Sequence, residues 1–219
     1  MARMEGSRND ELVQAANRGD LFKVRDLLAK GADPNSVDAN GMGPLLTFYP
    51  EVIRCLLTHG ADPNQQRNEN INPVIVGLCW NLECLDALLA GGASAGRASD
   101  HSGETALHFV VSADEGHALA ASKLLLDHGA DPNAATKPGM TTYMLWRDAR
   151  VRGETPLHRA AAWSTSKVIQ LLLDRGAKPD FRDANGDTAL SWASWYRRDK
   201  EIIDQLAYEG SGVGPDLPR

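Results

Sequence analysis

Two short stretches decide the fold of this chain: Gly153-Glu154-Thr155-Pro156-Leu157-His158 and, further along, Gly176-Ala177-Lys178-Pro179-Asp180. Thr155 is a candidate N-cap, and Pro156 suits the first helical position, where its missing N–H loses no intrahelical partner. Gly176 suits the left-handed residue that follows the end of a helix. The sequence between the two stretches therefore predicts two helices joined by a short turn.

Both stretches recur along the chain. The helix-ending element returns as Gly31-Ala32-Asp33-Pro34-Asn35, Gly60-Ala61-Asp62-Pro63-Asn64, Gly129-Ala130-Asp131-Pro132-Asn133 and, in weaker form, Gly92-Ala93-Ser94. The helix-starting element returns as Gly103-Glu104-Thr105-Ala106-Leu107-His108 and Gly186-Asp187-Thr188-Ala189-Leu190-Ser191. We expect a sixth unit to end at Gly210. Asn40-Gly41 and Asn185-Gly186 are typical of type I′ turns, which predicts a tight hairpin between units.

These motifs, repeated at about 33 residues, resemble the ankyrin repeat family. One helix pair cannot bury its apolar side alone, so copies must stack. The resemblance implies an all-α ankyrin-repeat solenoid of about six helix-turn-helix units joined by β-hairpin turns. It covers residues 10–210, with an N-terminal tail at 1–9 and a disordered C-terminal tail at 211–219. The second and third units are degenerate, because Gly43-Pro44-Leu45-Leu46 and Asn72-Pro73-Val74-Ile75 replace the usual helix start.

Composition limits the classes of function. The formal charge is −6, with 23 Lys and Arg against 29 Asp and Glu, so nucleic-acid binding would need a local basic patch. Arg147, Arg150 and Arg152 form a basic cluster, but Asp148 and Glu154 interleave with them, as on a solvated surface. We therefore expect no nucleic acid among the partners.

The remaining composition points to the cytoplasm. Three cysteines are too few for a disulfide framework and fit a reducing compartment. The longest apolar run, residues 74–80, is too short to span a bilayer, and the N-terminus lacks the apolar segment of a secretory signal. We expect a cytoplasmic protein with no membrane partner.

One connection between units is longer than the others. Gly129 and Thr155 are 26 residues apart, whereas Gly176 and Thr188 are 12 apart, so an insertion lies near residues 134–152. It carries Tyr143 and Trp146, residue types that are enriched at interface hot spots. The insertion either binds a partner or packs against its own repeats with Trp146 buried. The sequence leaves both interpretations open.

The resemblance also implies where a partner would bind, because hairpin tips and first helices of ankyrin repeats line a concave groove. Acidic residues precede the threonine of three repeats, and the position after the histidine slot is aromatic or basic. The partner-binding residues predicted on this basis, together with those of the insertion, are Glu104, Phe109, Tyr143, Trp146, Glu154, Arg159, Asp187, Trp192 and Trp195. Aromatic residues flanked by carboxylates suit a basic or amphipathic segment of another protein.

Structural explanations compete with that interpretation. A carboxylate beside a helix N-terminus complements the helix dipole. Trp192 and Trp195 could instead pack against the C-terminal segment. For His108 and His158, the resemblance implies hydrogen bonds that brace adjacent turns.

Catalytic and metal motifs are weak. Gly92-Ala93-Ser94-Ala95-Gly96 matches the pattern of a nucleophile elbow, but that motif needs a strand before the serine, and an amphipathic helical pattern stands there. Ser94 also shares the turn register of Asp33 and Asp62. No histidine or cysteine spacing indicates a metal site, and no phosphate loop or dinucleotide fingerprint is present.

We therefore predict a non-enzymatic, monomeric protein without cofactors. Its function would be that of an adaptor or regulator that binds one partner protein, or of an inhibitor that occludes an enzyme's active site. The alternative is a hydrolase that uses Ser94.

Overall fold

The computed structural model describes residues 2–65, 73–141, 152–208 and 210–211, and the side chains from residue 8 onward. These residues form eleven α-helices, and within them no extended strand occurs; an isolated antiparallel bridge joins Ala98 and Thr105. The all-α prediction is confirmed. The chain divides into two compact units, residues 1–97 and 98–219, which we describe separately. No helix in the described ranges has the length and apolar character needed to cross a membrane.

Outside residues 66–72, the first unit contains five helices: α1 (Ala2–Arg18), α2 (Leu21–Ala29), α3 (Pro50–Thr58), α4 (Val74–Leu78) and α5 (Leu82–Ala90). α2 packs between α1 and α3, and α5 contacts both α3 and α4. The predicted boundary between tail and first repeat falls within α1, where Asn9 Oδ1 accepts a hydrogen bond from Asp33 N at 3.0 Å. In the degenerate second repeat, residues 43–49 form turns and bends, and no first helix is present among them. Leu45 of this segment is buried in the core.

The second unit contains six helices: α6 (Ala106–Val110), α7 (Glu115–Asp127), α8 (Pro156–Trp163), α9 (Ser166–Asp174), α10 (Ala189–Trp195) and α11 (Lys200–Leu206). α8 packs against both α6 and α10, and α9 packs against both α7 and α11. The first helices of three repeats therefore form one layer and the second helices another. Fully buried Ala160 and Ala161 allow α8 to approach its neighbours closely.

The predicted helix ends are largely confirmed. Thr155 forms a capping box with His158, whose Nδ1 accepts from Thr155 N at 3.2 Å, and Pro156 opens α8. Gly176 has a φ of +88° just after α9. The amide of the following residue, Ala177, donates to Leu172 O at 2.9 Å and completes the helix end.

The end of the sixth unit differs from the prediction. α11 ends at Leu206, and Ala207 is already extended, with φ −66° and ψ 137°, so Gly210 lies beyond the helix rather than directly at its end.

The turns between units also differ in type. Gly186 has a φ of +85°, but Asn185 does not have the positive φ that a type I′ turn requires. Instead, Asp183 Oδ1 accepts from the amides of Asn185 and Asp187, each at 2.9 Å, and Asp183 N donates to Asp187 O at 2.8 Å. The first unit shows the same hydrogen bonds at Asp38, Asn40 and Met42. The prediction of a tight turn is correct, and its type is set by the aspartate.

Asparagines at the ends of the helix-ending elements join successive repeats. Asn133 Nδ2 donates to Gly176 O at 2.9 Å, and its Oδ1 accepts from Lys178 N at 2.8 Å. Asn64 makes the same pair of bonds to Gly92 O and Ser94 N. The amide side chain thereby replaces backbone pairing between turns that are far apart in sequence.

Candidate partner-binding site

A buried charge cluster, formed by Glu104, Glu154 and Arg159, joins the fourth and fifth repeats. Arg159, at 1% exposure, donates from Nη2 to Glu104 Oε1 at 2.7 Å and to Glu154 Oε1 at 2.6 Å. Its Nη1 donates to His108 O at 3.3 Å, and the guanidinium lies 5.8 Å from the centre of the Phe109 ring. The Arg159 side chain therefore links the two first helices by ion pairs and a cation–π contact.

The other carboxylate oxygens of the charge cluster are also bonded. Ser102 Oγ donates to Glu104 Oε2 at 2.7 Å. Glu154 Oε2 accepts from Thr136 Oγ1 at 2.9 Å and from Arg152 N at 2.6 Å. Thr136 and Arg152 lie near the two ends of the insertion, so this carboxylate closes its base.

The titration of the buried groups follows from these contacts. Burial by itself raises the pKa of Glu154, but the Arg159 charge and the hydrogen bonds to the carboxylate outweigh burial and hold the pKa at about 2. Burial, aided by the Arg159 charge, lowers the pKa of His108 to about 3, and burial also lowers that of His158. Glu154 is therefore ionised and both histidines are neutral at pH 7.

The two neutral histidines connect adjacent turns by hydrogen bonds, as the resemblance implied. His108 Nε2 lies 3.3 Å from Glu154 O, and His158 Nε2 lies 3.1 Å from Asp187 O. Each ring caps its own helix with Nδ1 and reaches the next turn with Nε2. These histidines hold the stacking register of the second unit.

Five of the predicted partner-binding residues are buried in the structure. Arg159 draws two glutamates and an aromatic ring around itself, and Trp192 packs among other rings. The five buried residues are Glu104, Phe109, Glu154, Arg159 and Trp192. Asp187 is half-buried and Trp195 is exposed. Tyr143 and Trp146 lie outside the described residues, so the role of the insertion stays a prediction.

An aromatic cluster extends from the fifth to the sixth repeat. Phe181, His158, Trp192, Trp163 and Tyr196 form a chain of edge-to-face contacts, with ring centres between 5.2 and 6.3 Å apart. Trp192 Nε1 also donates to Asp183 Oδ2 at 3.1 Å. Trp192 is therefore held by its ring neighbours and by the turn aspartate.

An open pocket lies at the end of this cluster. It has a volume of about 150 Å³ and is lined by Arg152, Trp192, Trp195 and Tyr196. We call it the aromatic pocket. Trp195 is 55% exposed, so one wall is a large apolar side chain in contact with water. Two predicted binding residues, Trp192 and Trp195, meet here, and sequence reasoning did not assign Arg152 to the same site.

Strained backbone follows the pocket directly. Arg197 has a φ of +51° and is the one non-glycine residue with positive φ in the ranges that the structure describes. The next residue, Arg198, donates from N to Ala193 O at 3.0 Å, from Nη1 to Ala161 O at 3.3 Å and from Nη2 to Ser164 O. These bonds fix the end of α10, and with it Tyr196, against α8.

Ser94 does not occupy a nucleophile elbow. Helix α5, rather than a strand, precedes it, and its amide donates to Asn64 Oδ1 at 2.7 Å as part of the asparagine connection. Among the residues described, no group of three or more His, Cys, Asp or Glu side chains is placed to hold a metal ion. The geometry around Ser94 is that of a repeat turn.

Sequence comparisons agree with this architecture. Residues 48–136 and 134–216 match the family model for ankyrin repeats in three copies. Inversin from dog is 34% identical over 139 residues, which is 62% of this chain and 11% of inversin. Mouse ankyrin repeat and SOCS box protein 16 is 36% identical over 181 residues, which is 78% of this chain and 37% of that protein. The chain thus spans well under half of these relatives.

A solved structure shares the fold. The complex of a predatory endopeptidase from Bdellovibrio bacteriovorus with an immunity protein contains a chain that superposes with a TM-score of 0.67 and 22% identity, covering 90% of this chain and 96% of that one. The repeat motifs, the helix pairs and the family match lead to one conclusion. The chain belongs to the ankyrin repeat family, whose repeats form protein–protein interaction modules.

Proposed function

We propose that this chain is a non-enzymatic adaptor or regulator that binds another protein through the aromatic pocket and the neighbouring surface of its second unit. The observation that carries the proposal is Trp195, which is 55% exposed beside a Trp192 that is 3% exposed. Aromatic residues are enriched at protein–protein interfaces, and here an exposed tryptophan adjoins a set of immobilised rings.

The composition of the aromatic pocket supports this function. Trp, Tyr and Arg are the residue types most enriched among interface hot spots, and all three line the pocket. Trp192 is already immobilised by Asp183 and by its neighbouring rings, so binding a partner would not have to restrict it.

Charge near the pocket favours a basic or amphipathic segment of the partner. Asp183 and Asp187 lie in the turn that leads into α10, and burial and the charge of Asp183 raise the pKa of Asp187. A positively charged residue of the partner beside this turn would therefore be favoured. We propose a monomer acting in the cytoplasm, with no nucleic acid or membrane partner and with the insertion near 134–152 adding contacts.

Affinity capture with mass spectrometry tests the proposal. The full chain, Trp195→Ala and Trp80→Ala serve as baits; Trp80 is 42% exposed and belongs to the first unit, which makes it a matched control. A partner recovered by the full chain and by Trp80→Ala, and lost with Trp195→Ala, supports the function. Equal recovery by all three baits, or no stoichiometric partner, contradicts it.

A fourth bait addresses the insertion. Because Thr136 closes its base, the deletion should remove residues 142–150 and leave Thr136 and Arg152 in place. Loss of the partner with this bait would support a binding role for the insertion. Unchanged recovery would contradict that role and leave the pocket as the binding site.

A further inference from the structure

We propose that the aromatic pocket takes one neutral aromatic side chain, a Phe, Tyr or Trp, from the partner polypeptide. This inference rests on the proposed function and adds the chemistry of the anchor residue. It is argued from the size of the pocket, from the chemistry of its walls and from the charges around it.

The size fits a single ring. The pocket volume is about 150 Å³. A cavity of roughly that size is large enough to hold one benzene molecule. The pocket therefore has room for one aromatic side chain.

The walls attract an aromatic ring in two ways. Trp192, Trp195 and Tyr196 offer ring edges and faces, and the existing contacts already use edge-to-face geometry, with Trp163 and Tyr196 centred 5.2 Å apart at 69°. A further ring would extend the same series of contacts. Arg152 contributes a planar guanidinium, which stacks well on a ring face.

Charges around the pocket disfavour charged occupants. The Arg152 guanidinium lines the pocket and repels an ammonium group placed inside it. Asp183 binds the Trp192 indole at 3.1 Å, and the Arg152 charge acts on Asp187, so a carboxylate in the pocket would lie near two acidic groups as well as near Arg152. A neutral ring avoids both penalties, and a basic residue of the partner would lie outside the pocket, beside the aspartates.

Small probes in solution test the inference without knowledge of the partner. We would titrate ¹⁵N-labelled full chain with p-cresol, cyclohexanol, tetramethylammonium and acetate and follow the tryptophan Nε1–H resonances by NMR. We expect p-cresol to shift the Trp195 and Trp192 resonances saturably, with an apparent affinity about 3- to 10-fold higher than that of cyclohexanol. The two ions should bind more weakly than either neutral probe.

Variants localise the effect. Trp195→Ala should abolish the p-cresol shift of Trp192, and unchanged resonances of Trp163 would show that the fold is kept. Arg152→Lys keeps the charge and loses the planar guanidinium, so the affinity for p-cresol should fall by about 2- to 5-fold. Trp80→Ala, in the first unit, should leave the titration unchanged.

Several results would overturn the inference. They are tighter binding of tetramethylammonium or acetate, equal affinity for cyclohexanol and p-cresol, and a p-cresol shift that survives Trp195→Ala. If any of these occurs while partner capture still depends on Trp195, the proposed function stands and the anchor chemistry is wrong. If p-cresol binds as expected but no partner is captured, the pocket chemistry stands and the proposed function is wrong.

Discussion

The fifth and sixth repeats place different residues at the same two positions, and their surfaces differ accordingly. The fifth repeat has Glu154 and Arg159, which bind each other and are buried. The sixth has Asp187 and Trp192; the aspartate is half-buried, and the tryptophan donates to Asp183 instead. In the fifth repeat, Glu154 and Arg159 pair and are buried, so they leave no pocket between them. In the sixth repeat, Trp192 lines the aromatic pocket instead.

This difference separates stability from binding within one unit. The charge cluster brings two carboxylates and one guanidinium out of water, so each group depends on the others for compensation. The aromatic pocket depends on packing and keeps one ring exposed. Changes in the charge cluster should act mainly on folding, and changes at Trp195 mainly on partner binding.

The largest effect is expected from Arg159→Met. This change leaves Glu104 and Glu154 buried without their shared cation, which should reduce the free energy of unfolding by about 3–5 kcal/mol. Urea denaturation followed by circular dichroism measures it. Arg175→Met, which breaks a more exposed ion pair with Asp127, is the matched control and should have a much smaller effect.

A second comparison sharpens this test. Adding Glu104→Gln and Glu154→Gln to Arg159→Met removes the unpaired charges and should restore part of the lost stability. If the triple variant is no more stable than Arg159→Met, uncompensated charge is not the cause of the loss.

The second-largest effect is expected from lowering the pH, which should reduce the free energy of unfolding. His108 has a pKa of about 3 in the folded chain against 6.5 when exposed, so only the unfolded chain takes up this proton as the pH falls below about 6.5. Glu154, with a pKa of about 2 against 4.5, contributes stability above pH 4.5 that is lost as the pH falls toward 2. Each such proton gives a slope of up to about 1.4 kcal/mol per pH unit.

Urea midpoints at pH 7.5, 5.5 and 4 measure this dependence. Stability should fall at each step, and His108→Gln should reduce the fall between pH 7.5 and pH 4. Equal midpoints at pH 7.5 and 5.5 would show that His108 and His158 are not buried as neutral rings.

Trp192→Phe should have an intermediate effect on stability. The change removes the hydrogen bond to Asp183 and part of the packing against Trp163, and should cost about 1–3 kcal/mol. The control is Trp195→Phe, whose exposed position predicts a change within about 0.5 kcal/mol. Equal losses in thermal and urea denaturation of the two variants would contradict the distinction between buried and exposed walls.

The smallest effect is a gain. Arg197 has left-handed backbone, so Arg197→Gly should stabilise the chain by about 0.5–1 kcal/mol. Gly176→Ala makes the reverse change at a φ of +88° and should destabilise by a similar amount. A loss of stability in Arg197→Gly would indicate that the Arg197 side chain makes contacts that outweigh its backbone strain.

Local features of the fold could be predicted from the sequence. The start of α8 is marked by Thr155 and Pro156, and the end of α9 by Gly176. These ends could be predicted because a helix cap depends on residues that are close in sequence. The type of turn could not be predicted from Asn185-Gly186 alone, because the carboxylate of Asp183 determines it.

The candidate site was harder to predict, because its contacts join residues that are distant in sequence. Arg159 and Glu104 are 55 residues apart, so a row of acidic residues looked like an exposed surface. One signal was present: Arg159 occupies a slot that is aromatic in the adjacent repeats, at Phe109 and Trp192. A charge in an otherwise aromatic slot indicates a buried partner of opposite charge.

The bonds among Thr136, Arg152 and Glu154 have a consequence for how this protein can be altered. They hold the two chain ends of the insertion together, so the repeats on either side do not depend on the length of the intervening segment. Each doubling of such a loop costs only about 0.6 kcal/mol of closure entropy. A new recognition sequence can therefore be grafted between residues 142 and 151, just before Arg152, which lines the aromatic pocket.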